Sequence, residues 1–316
     1  MRPGTAGRRA GRWTSPPFSG KLRPMHSMYS RSAGRQDDGA DGPAPCSDSQ
    51  RSQTMGPYHV ICIKWGTYYS AKDVNNLFSM IQRNTSRPIV FHCFSNETEG
   101  LQAEVRRHAL PPMQVPESLN KYAYKKEAGL CDDALGGLAG ERVFFFDLDS
   151  LIVGNLDEFF AYPQAERFYI IKDWNTRGQH VGQASCYSWV VGTLGFVKSY
   201  FEQNPAQVLA QYGTASQEYL SAQVIKHFGA LNFWPDNWFK SFKLHCLPLG
   251  ILRPFLAARL PRVVGLKMIA FHGYPGLSEA VAGTWTNDRT SKKRAHGWKR
   301  MYKTIRPCPW ILDYWK

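Results

Sequence analysis

The chain has 316 residues, 43% of them hydrophobic and 14% aromatic, enough apolar material for one large α/β domain or two smaller ones. Its net charge of +14 is uneven: residues 1–55 carry nine Lys/Arg against four Asp/Glu, residues 289–316 nine against one, and the body between is nearly neutral. A neutral body with basic ends excludes a body-wide nucleic-acid footprint, and the lack of a run of ~18 apolar residues argues against a transmembrane helix.

Residues 1–54 are rich in Gly, Pro, Ser and Arg without apolar periodicity and read as a disordered leader, with the ordered protein starting at Met55. Tyr58 to Trp65 is a compact apolar strand, followed by a Gly66-Thr-Tyr-Tyr-Ser70 loop. A helix over 71–83 places Val74, Leu77, Phe78 and Ile81 on one face. Pro88 to Phe94 reads as a second strand, 111–116 as a short edge strand, and 118–130 as a helix carrying Lys121, Lys125 and Lys126. Arg142-Val-Phe-Phe-Phe146 is a strand buried on both faces, of the kind found inside a covered parallel sheet. A short helix at 156–160 comes next, with strands at 167–172 and 187–192 separated by a polar loop, 173–184. Helices are expected over 197–203 and 216–228, an irregular stretch over 229–263, and a strand from 263 to Phe271 that ends in His272-Gly273. Strands alternating with helices define an α/β fold, whose ligands bind at the carboxyl ends of the strands.

Seven scattered cysteines, odd in number and with no CxxC pair, argue for a reducing compartment and against a disulfide framework.

The chemistry centres on Asp147-Leu148-Asp149. Residues i and i+2 of an extended chain point to one side, so two carboxylates converge while Leu148 turns into the fold. Two desolvated carboxylates need a counter-charge, and hard oxygen ligands suit Mg²⁺ or Mn²⁺, ions that also hold phosphates. The same Asp-x-Asp after an apolar strand also suits a haloacid-dehalogenase-type phosphatase with Asp147 as nucleophile. That motif usually opens its domain, whereas here about ninety residues of α/β pattern precede it.

Five features in order, Trp65-Gly-Thr-Tyr68, a Lys-bearing helix, Phe146-Asp-Leu-Asp149 with Val153-Gly-Asn-Leu-Asp157, Ser216-Gln-Glu-Tyr-Leu-Ser221 and Phe271-His-Gly-Tyr-Pro275, resemble the bacterial GT-A-fold glycosyltransferases of the glycogenin and lipopolysaccharide galactosyltransferase group. The resemblance covers residues 57–278. It implies a Rossmann-like, mixed and mostly parallel sheet with helices on both faces over residues 55–288. It also implies transfer of a hexose from a nucleotide-diphosphate sugar, a UDP-sugar, to a polysaccharide or lipid-linked acceptor, with retention.

Mn²⁺ or Mg²⁺ would then be held by Asp147, Asp149 and His272. Asp147 would also touch the donor, Thr67 and Tyr68 would meet base and ribose, and Lys125 would lie near the donor. Gln217 would face the donor sugar, and Asp236, in Trp234-Pro-Asp-Asn-Trp238, is the best candidate for an acceptor-side base. Two positions depart from the pattern: Ser216 stands where the group has Asp, and Gly276 where it has Lys after Pro. These departures leave open a catalytically inactive GT-A domain used for binding; Lys267, Arg253 or the Gly276 backbone are the alternatives for the diphosphate.

The end of the chain, 289–316, interleaves Lys292-Lys-Arg294, Lys299-Arg300, Lys303 and Arg306 with Trp298, Tyr302, Trp310, Tyr314 and Trp315. Such a segment suits an anionic membrane surface, giving a cytoplasmic protein attached peripherally to the inner face of the cytoplasmic membrane.

Overall fold

The strand Tyr58 to Lys64 sends its alternate side chains into two different cores. In the computed structural model, which describes residues 56–122, 124–174, 180–285 and 303–316, Val60 and Cys62 join one apolar cluster and Ile61 and Ile63 the other. The strand is therefore covered on both faces, which accounts for its unbroken apolar run.

The elements in chain order are β1 (Tyr58–Lys64), α1 (Ala71–Arg83), β2 (Ile89–Ser95), β3 (Arg106–His108), β4 (Arg142–Phe146), β5 (Ser150–Ile152), α2 (Asp157–Ala161), β6 (Tyr169–Lys172) and β7 (Gly182–Val190). Then come α3 (Gly195–Gln203), α4 (Pro205–Tyr212), α5 (Ser216–Phe228), β8 (Asn232–Phe233), β9 (Phe239–Ser241), β10 (Met268–Ala270) and α6 (Leu277–Ala282). Seven strands form one sheet in the order β3-β2-β1-β4-β7-β6-β8. Only β7 runs against its neighbours, antiparallel to β4 and β6, so the sheet is mixed and mostly parallel. Val74 and Leu77 of α1 pack on the Val60 face; Val197, Val208 and Leu220 of α3, α4 and α5 pack on the Ile61 face. The expected α/β sheet with helices on both faces is thus what the chain forms.

A second sheet of three strands, β5-β10-β9, lies on the Val60 side. It explains how distant residues meet. β10 pairs antiparallel with β5, Ser150 opposite Ala270, so the segment after β10 returns to the start of β5.

Several local expectations change. No strand forms at 111–116; the edge strand is β3, at 106–108. The helix expected over 118–130 is replaced by 3-10 turns at Glu117–Tyr122 and Gly129–Cys131. Asp147-Leu-Asp149 is a turn between two sheets, closed by Ser150 N–H donating to Asp147 O at 3.1 Å, and not the end of one strand. Leu148 does face the interior. Helix α4, entered through Pro205 in its first turn, adds an element beyond those expected.

The six cysteines among the described residues are free and buried. No helix of the described residues is long and apolar enough to cross a membrane. Residues 1–55 and 286–302, with all of the expected leader and the first half of the basic segment 289–316, lie outside the described residues. Residues 303–316 belong to the fold: Cys308 N–H donates to Ala280 O, Trp310 Nε1 to Ala258 O and Arg83 to Tyr314 O, and Ile311 is buried.

Three histidines cross the flank of the large sheet. His59 Nδ1 lies 3.0 Å from His92 Nε2, and His92 Nδ1 lies 2.9 Å from His108 Nε2, linking β1, β2 and β3. Burial lowers all three, His92 to about 3. Neutral imidazoles suit such a line, because each offers one donor and one acceptor. Gly136 closes over it with φ +58; a Cβ there would fall 2.9 Å from both His108 Nδ1 and Phe94.

Candidate active site

A cavity of about 390 Å³ opens at the carboxyl ends of the central strands. The turn after β4 supplies Asp147 and Asp149, the loop after β1 supplies Tyr68 and Tyr69, β7 supplies Gln183, the start of α5 supplies Gln217, and the segment after β10 supplies His272. This is the crevice that an open α/β sheet offers to a ligand.

The acidic turn and the His-Gly segment are held together by backbone. Phe271 N–H donates to Asp149 O at 3.1 Å, extending the β5–β10 ladder by one bond. Gly273 then turns the chain at φ +73, where a Cβ would press to 3.2 Å from Lys243 Nζ. The two motifs, more than a hundred residues apart, become one wall of the cleft.

Lys126 provides the positive charge. Its Nζ lies 2.7 Å from Asp147 Oδ2 and 3.4 Å from Glu127 Oε1. Burial alone would lower this ammonium; the carboxylates of Asp147, Glu127 and Asp149 outweigh it and raise it, so Lys126 stays charged. The lysine at the cleft is therefore Lys126. Lys125, expected near the donor, is not among the residues that line it. The 3-10 conformation at 117–122 and the turn after it rotate the pair away from the register of an α-helix.

Tyr69 Oη donates to Asp149 Oδ2 at 3.2 Å, and the Tyr68 ring meets the Tyr69 ring edge-on at 4.7 Å. Tyr68 is 46% exposed and offers its ring to the cleft. Thr67 is exposed on the same loop but does not line the cavity. Gln217 sits at the first turn of α5, its Oε1 facing Ala184 N–H of β7 at 3.4 Å. The neighbouring Ser221 hydroxyl accepts from Gly182 N–H at 2.9 Å and pins helix to strand. Ser216 lines the cleft as the first residue of α5.

His272 is stacked on Trp174 at 5.5 Å, and its Nε2 lies 2.7 Å from Ser241 Oγ. Burial, with Lys243 close by, lowers it to about 4, so it is neutral at physiological pH, as a metal ligand must be. Two carboxylates and a neutral imidazole on one cleft fit, by donor chemistry, a divalent cation of the Mn²⁺ or Mg²⁺ kind. Among the described residues no three His, Cys, Asp or Glu side chains stand as a ready ligand group. Lys126 now engages Asp147, and Ser241 engages His272.

Asp236 lies outside the cleft. It pairs with Lys172 at 3.7 Å and lines a neighbouring cavity of about 290 Å³ with Trp174 and Trp234. Lys267 is 4% exposed, held by Asn155 O and Glu158 and set over the Trp238 ring, so it belongs to the fold. Arg253 lies on a separate loop over Trp285, and Gly276 N–H is used by the Glu279 carboxylate at 2.9 Å. The cation that sequence reasoning missed is Lys243, in the π-turn Phe242–Cys246, whose charge acts on both Asp149 and His272. Its position in a stretch with no periodicity left no signal to find it by.

No protein-family profile matches the chain, and no curated protein matches it in sequence. Among solved structures, it is similar to the galactosyltransferase LgtC in complex with donor and acceptor sugar analogs, at a TM-score of 0.45 and 12% identity over 77% of this chain and 93% of that one. It is also similar to the apo bifunctional glycosyltransferase WbbM, at a TM-score of 0.45 and 14% identity over 70% of this chain. The glycosyltransferase GlyE of Streptococcus pneumoniae TIGR4 gives a TM-score of 0.42 and 11% identity over 58%. The chain spans 46% of the length of each of the latter two. The functional reading rests on the cleft itself.

Proposed function

We propose that the protein is a glycosyltransferase that moves a hexose from a nucleoside-diphosphate sugar, read as a UDP-sugar, to a glycan or lipid-linked acceptor. The observation that carries this reading is the meeting of Asp147, Asp149 and His272 in one cleft with a charged Lys126 and with Gln217. A sugar nucleotide brings a diphosphate, a base and a hexose, and the cleft has a chemical partner for each.

Asp147, Asp149 and His272 would hold Mn²⁺ or Mg²⁺, which when bound offsets charge on the departing diphosphate. Lys126 brings an ammonium group to the cleft, and Lys243, lowered by burial but acted on by Asp149, lies behind its Gly273 wall, so the residues themselves also favour an anionic leaving group. The exposed face of Tyr68 suits stacking with the base. Gln217, fixed by the α5–β7 contact, is neutral and suits the hexose hydroxyls or the reacting carbon's surroundings.

Retention is supported by what the carboxylates already do. Glu127 and Asp147 are engaged by Lys126, Asp149 accepts from Tyr69, and Asp236 sits in the adjoining cavity.

Purified protein incubated with UDP-sugars and Mn²⁺ should release UDP by slow donor hydrolysis, and Asp149→Ala should remove that release. Mn²⁺ taken up by the wild type and lost in Asp149→Ala, read by electron paramagnetic resonance, tests the metal independently of turnover. Phosphate release from p-nitrophenyl phosphate that vanishes in Asp147→Asn would instead establish the phosphatase. UDP binding without either activity would establish a binding domain.

A further inference from the structure

We propose that the loop 246–259 is a membrane-docking element that inserts apolar side chains into an anionic lipid surface. This inference stands independently of the transferase reading.

The loop is closed at its base, where Arg259 N–H donates to Cys246 O at 3.0 Å, and it is tethered to the body by Trp310 Nε1 donating to Ala258 O. Between these points the chain makes helical turns: Leu252 N–H bonds Leu249 O, Phe255 and Leu256 N–H both bond Leu252 O. A short compact loop built this way presents a fixed set of side chains. That set is apolar and exposed: Leu249 74%, Ile251 68%, Phe255 72%, with Leu252 and Leu256 beside them. Five large apolar residues within eight positions, held on a rigid base and left open to water, mark an interaction site.

Charge selects the partner. From residue 237 to 278 the chain contains no Asp or Glu, but six Lys/Arg, of which Arg259 and Arg262 are exposed at the root of the loop. An apolar tip above a basic root matches the layers of an anionic bilayer, acyl chains inside and negative headgroups outside. Trp285, which lies under Arg253 of the loop, leads in sequence into residues 286–302, with six further basic residues and one acidic one. The aromatic residues first expected to face lipid do otherwise: Trp310, Tyr314 and Trp315 pack against the main core.

The loop also connects to the cleft. Cys246 ends the π-turn that comes after Ser241, the partner of His272.

The test is flotation of the full chain with phosphatidylcholine vesicles, with or without 30% phosphatidylglycerol as a chosen probe. Wild type should float with the anionic vesicles only, and less so at high salt. The double variant Ile251→Ser/Phe255→Ser, two exposed positions where folding is not at risk, should lose binding by about tenfold or more with unchanged thermal midpoint. Arg259→Gln/Arg262→Gln should weaken binding and flatten the salt dependence. The proposal is overturned if no vesicle is bound, or if neutral vesicles bind as well. It is also overturned if the serine variant floats like wild type while Lys292→Gln/Lys293→Gln/Arg294→Gln does not, which would give binding to the segment 286–302 alone. Sedimentation equilibrium showing a dimer that the serine variant abolishes, without vesicle binding, would make the loop a self-association surface and overturn it as well.

Discussion

Around Lys126, carboxylates and an ammonium lie at the carboxyl edge of the large sheet beside an open cavity; around His92, three imidazoles lie across the flank of the same sheet, bonded to one another. The first cluster keeps its charges by opposing them and leaves space in front. The second has given up its charge and closed the space, with Gly136 pressed onto His108. Burial acts on both, but a base surrounded by bases is neutralised by it, whereas a base among acids is not. Opposed charge held next to a cavity is what binding an anion and a metal requires. A neutral, filled line is what folding requires. This difference separates the candidate site from a cluster that is equally rich in ionisable groups.

The largest expected effect breaks the histidine side. His92 is about 3 in the fold against an ordinary 6.5, so the unfolded chain binds more protons between these values. Stability is therefore present above pH ~6.5 and is lost as pH falls toward 3, by about 5 kcal/mol at most. His92→Gln keeps a donor and an acceptor but does not titrate. Chemical denaturation from pH 7 to 4 should show a much shallower decline in the variant than in wild type.

On the cleft side, Asp149→Asn keeps the size of the side chain and removes its charge. UDP release should fall on the order of 10²-fold, about 3 kcal/mol in the barrier, while the thermal midpoint stays close to wild type. A loss of stability in parallel with activity would mean that Asp149 serves the fold.

Periodicity decided what was legible. β1 was readable as a compact apolar run and α1 from the 3.6 period that burial imposes over thirteen residues, and the turn Asp147-Leu-Asp149 stood out as charge against an apolar strand. His272 was reachable from its place after an apolar strand and before Gly273. Lys126 was misassigned because choosing between neighbouring lysines requires the local backbone, and the 3-10 turn upstream leaves no period to count from. Lys243 and the docking loop lay in a stretch whose shape comes from tethers to 303–316 and β10, long-range contacts that no local pattern records. The histidine line was hidden for the same reason: His59, His92 and His108 are neighbours only through the pairing of β1, β2 and β3.

Lys126→Met sharpens the contrast by making the cleft resemble a cluster of one sign. Asp147 and Glu127 would face each other without a cation, at a cost of roughly 2 kcal/mol, below that of breaking a fully buried pair because both Lys126 and Asp147 retain some exposure. Lowering the pH should recover part of that loss as a carboxylate takes a proton. Added Mn²⁺ should raise the variant's thermal midpoint more than the wild type's, because the carboxylate that Lys126 holds becomes available to the metal.

The smallest effect is expected where the two kinds of cluster come nearest to mixing. Glu141 lies 3.9 Å from His59 Nε2, an acid at the open end of the histidine line, but its side chain is 59% exposed. Burial lowers His59 and Glu141 opposes that shift without reversing it, so the pair is not an ion pair at neutral pH. Glu141→Gln should therefore change stability at pH 7 by less than about 0.5 kcal/mol, the ordinary yield of an exposed contact. Its effect belongs at acid pH. Without Glu141 the folded state binds a proton at His59 less readily, so the acid decline should steepen slightly, the opposite sign to His92→Gln. Equal curves for Glu141→Gln and wild type at pH 5 would show that the acid exerts no hold on the line; a large loss at pH 7 would show that His59 is charged in the fold, and the neutral line would have to be given up.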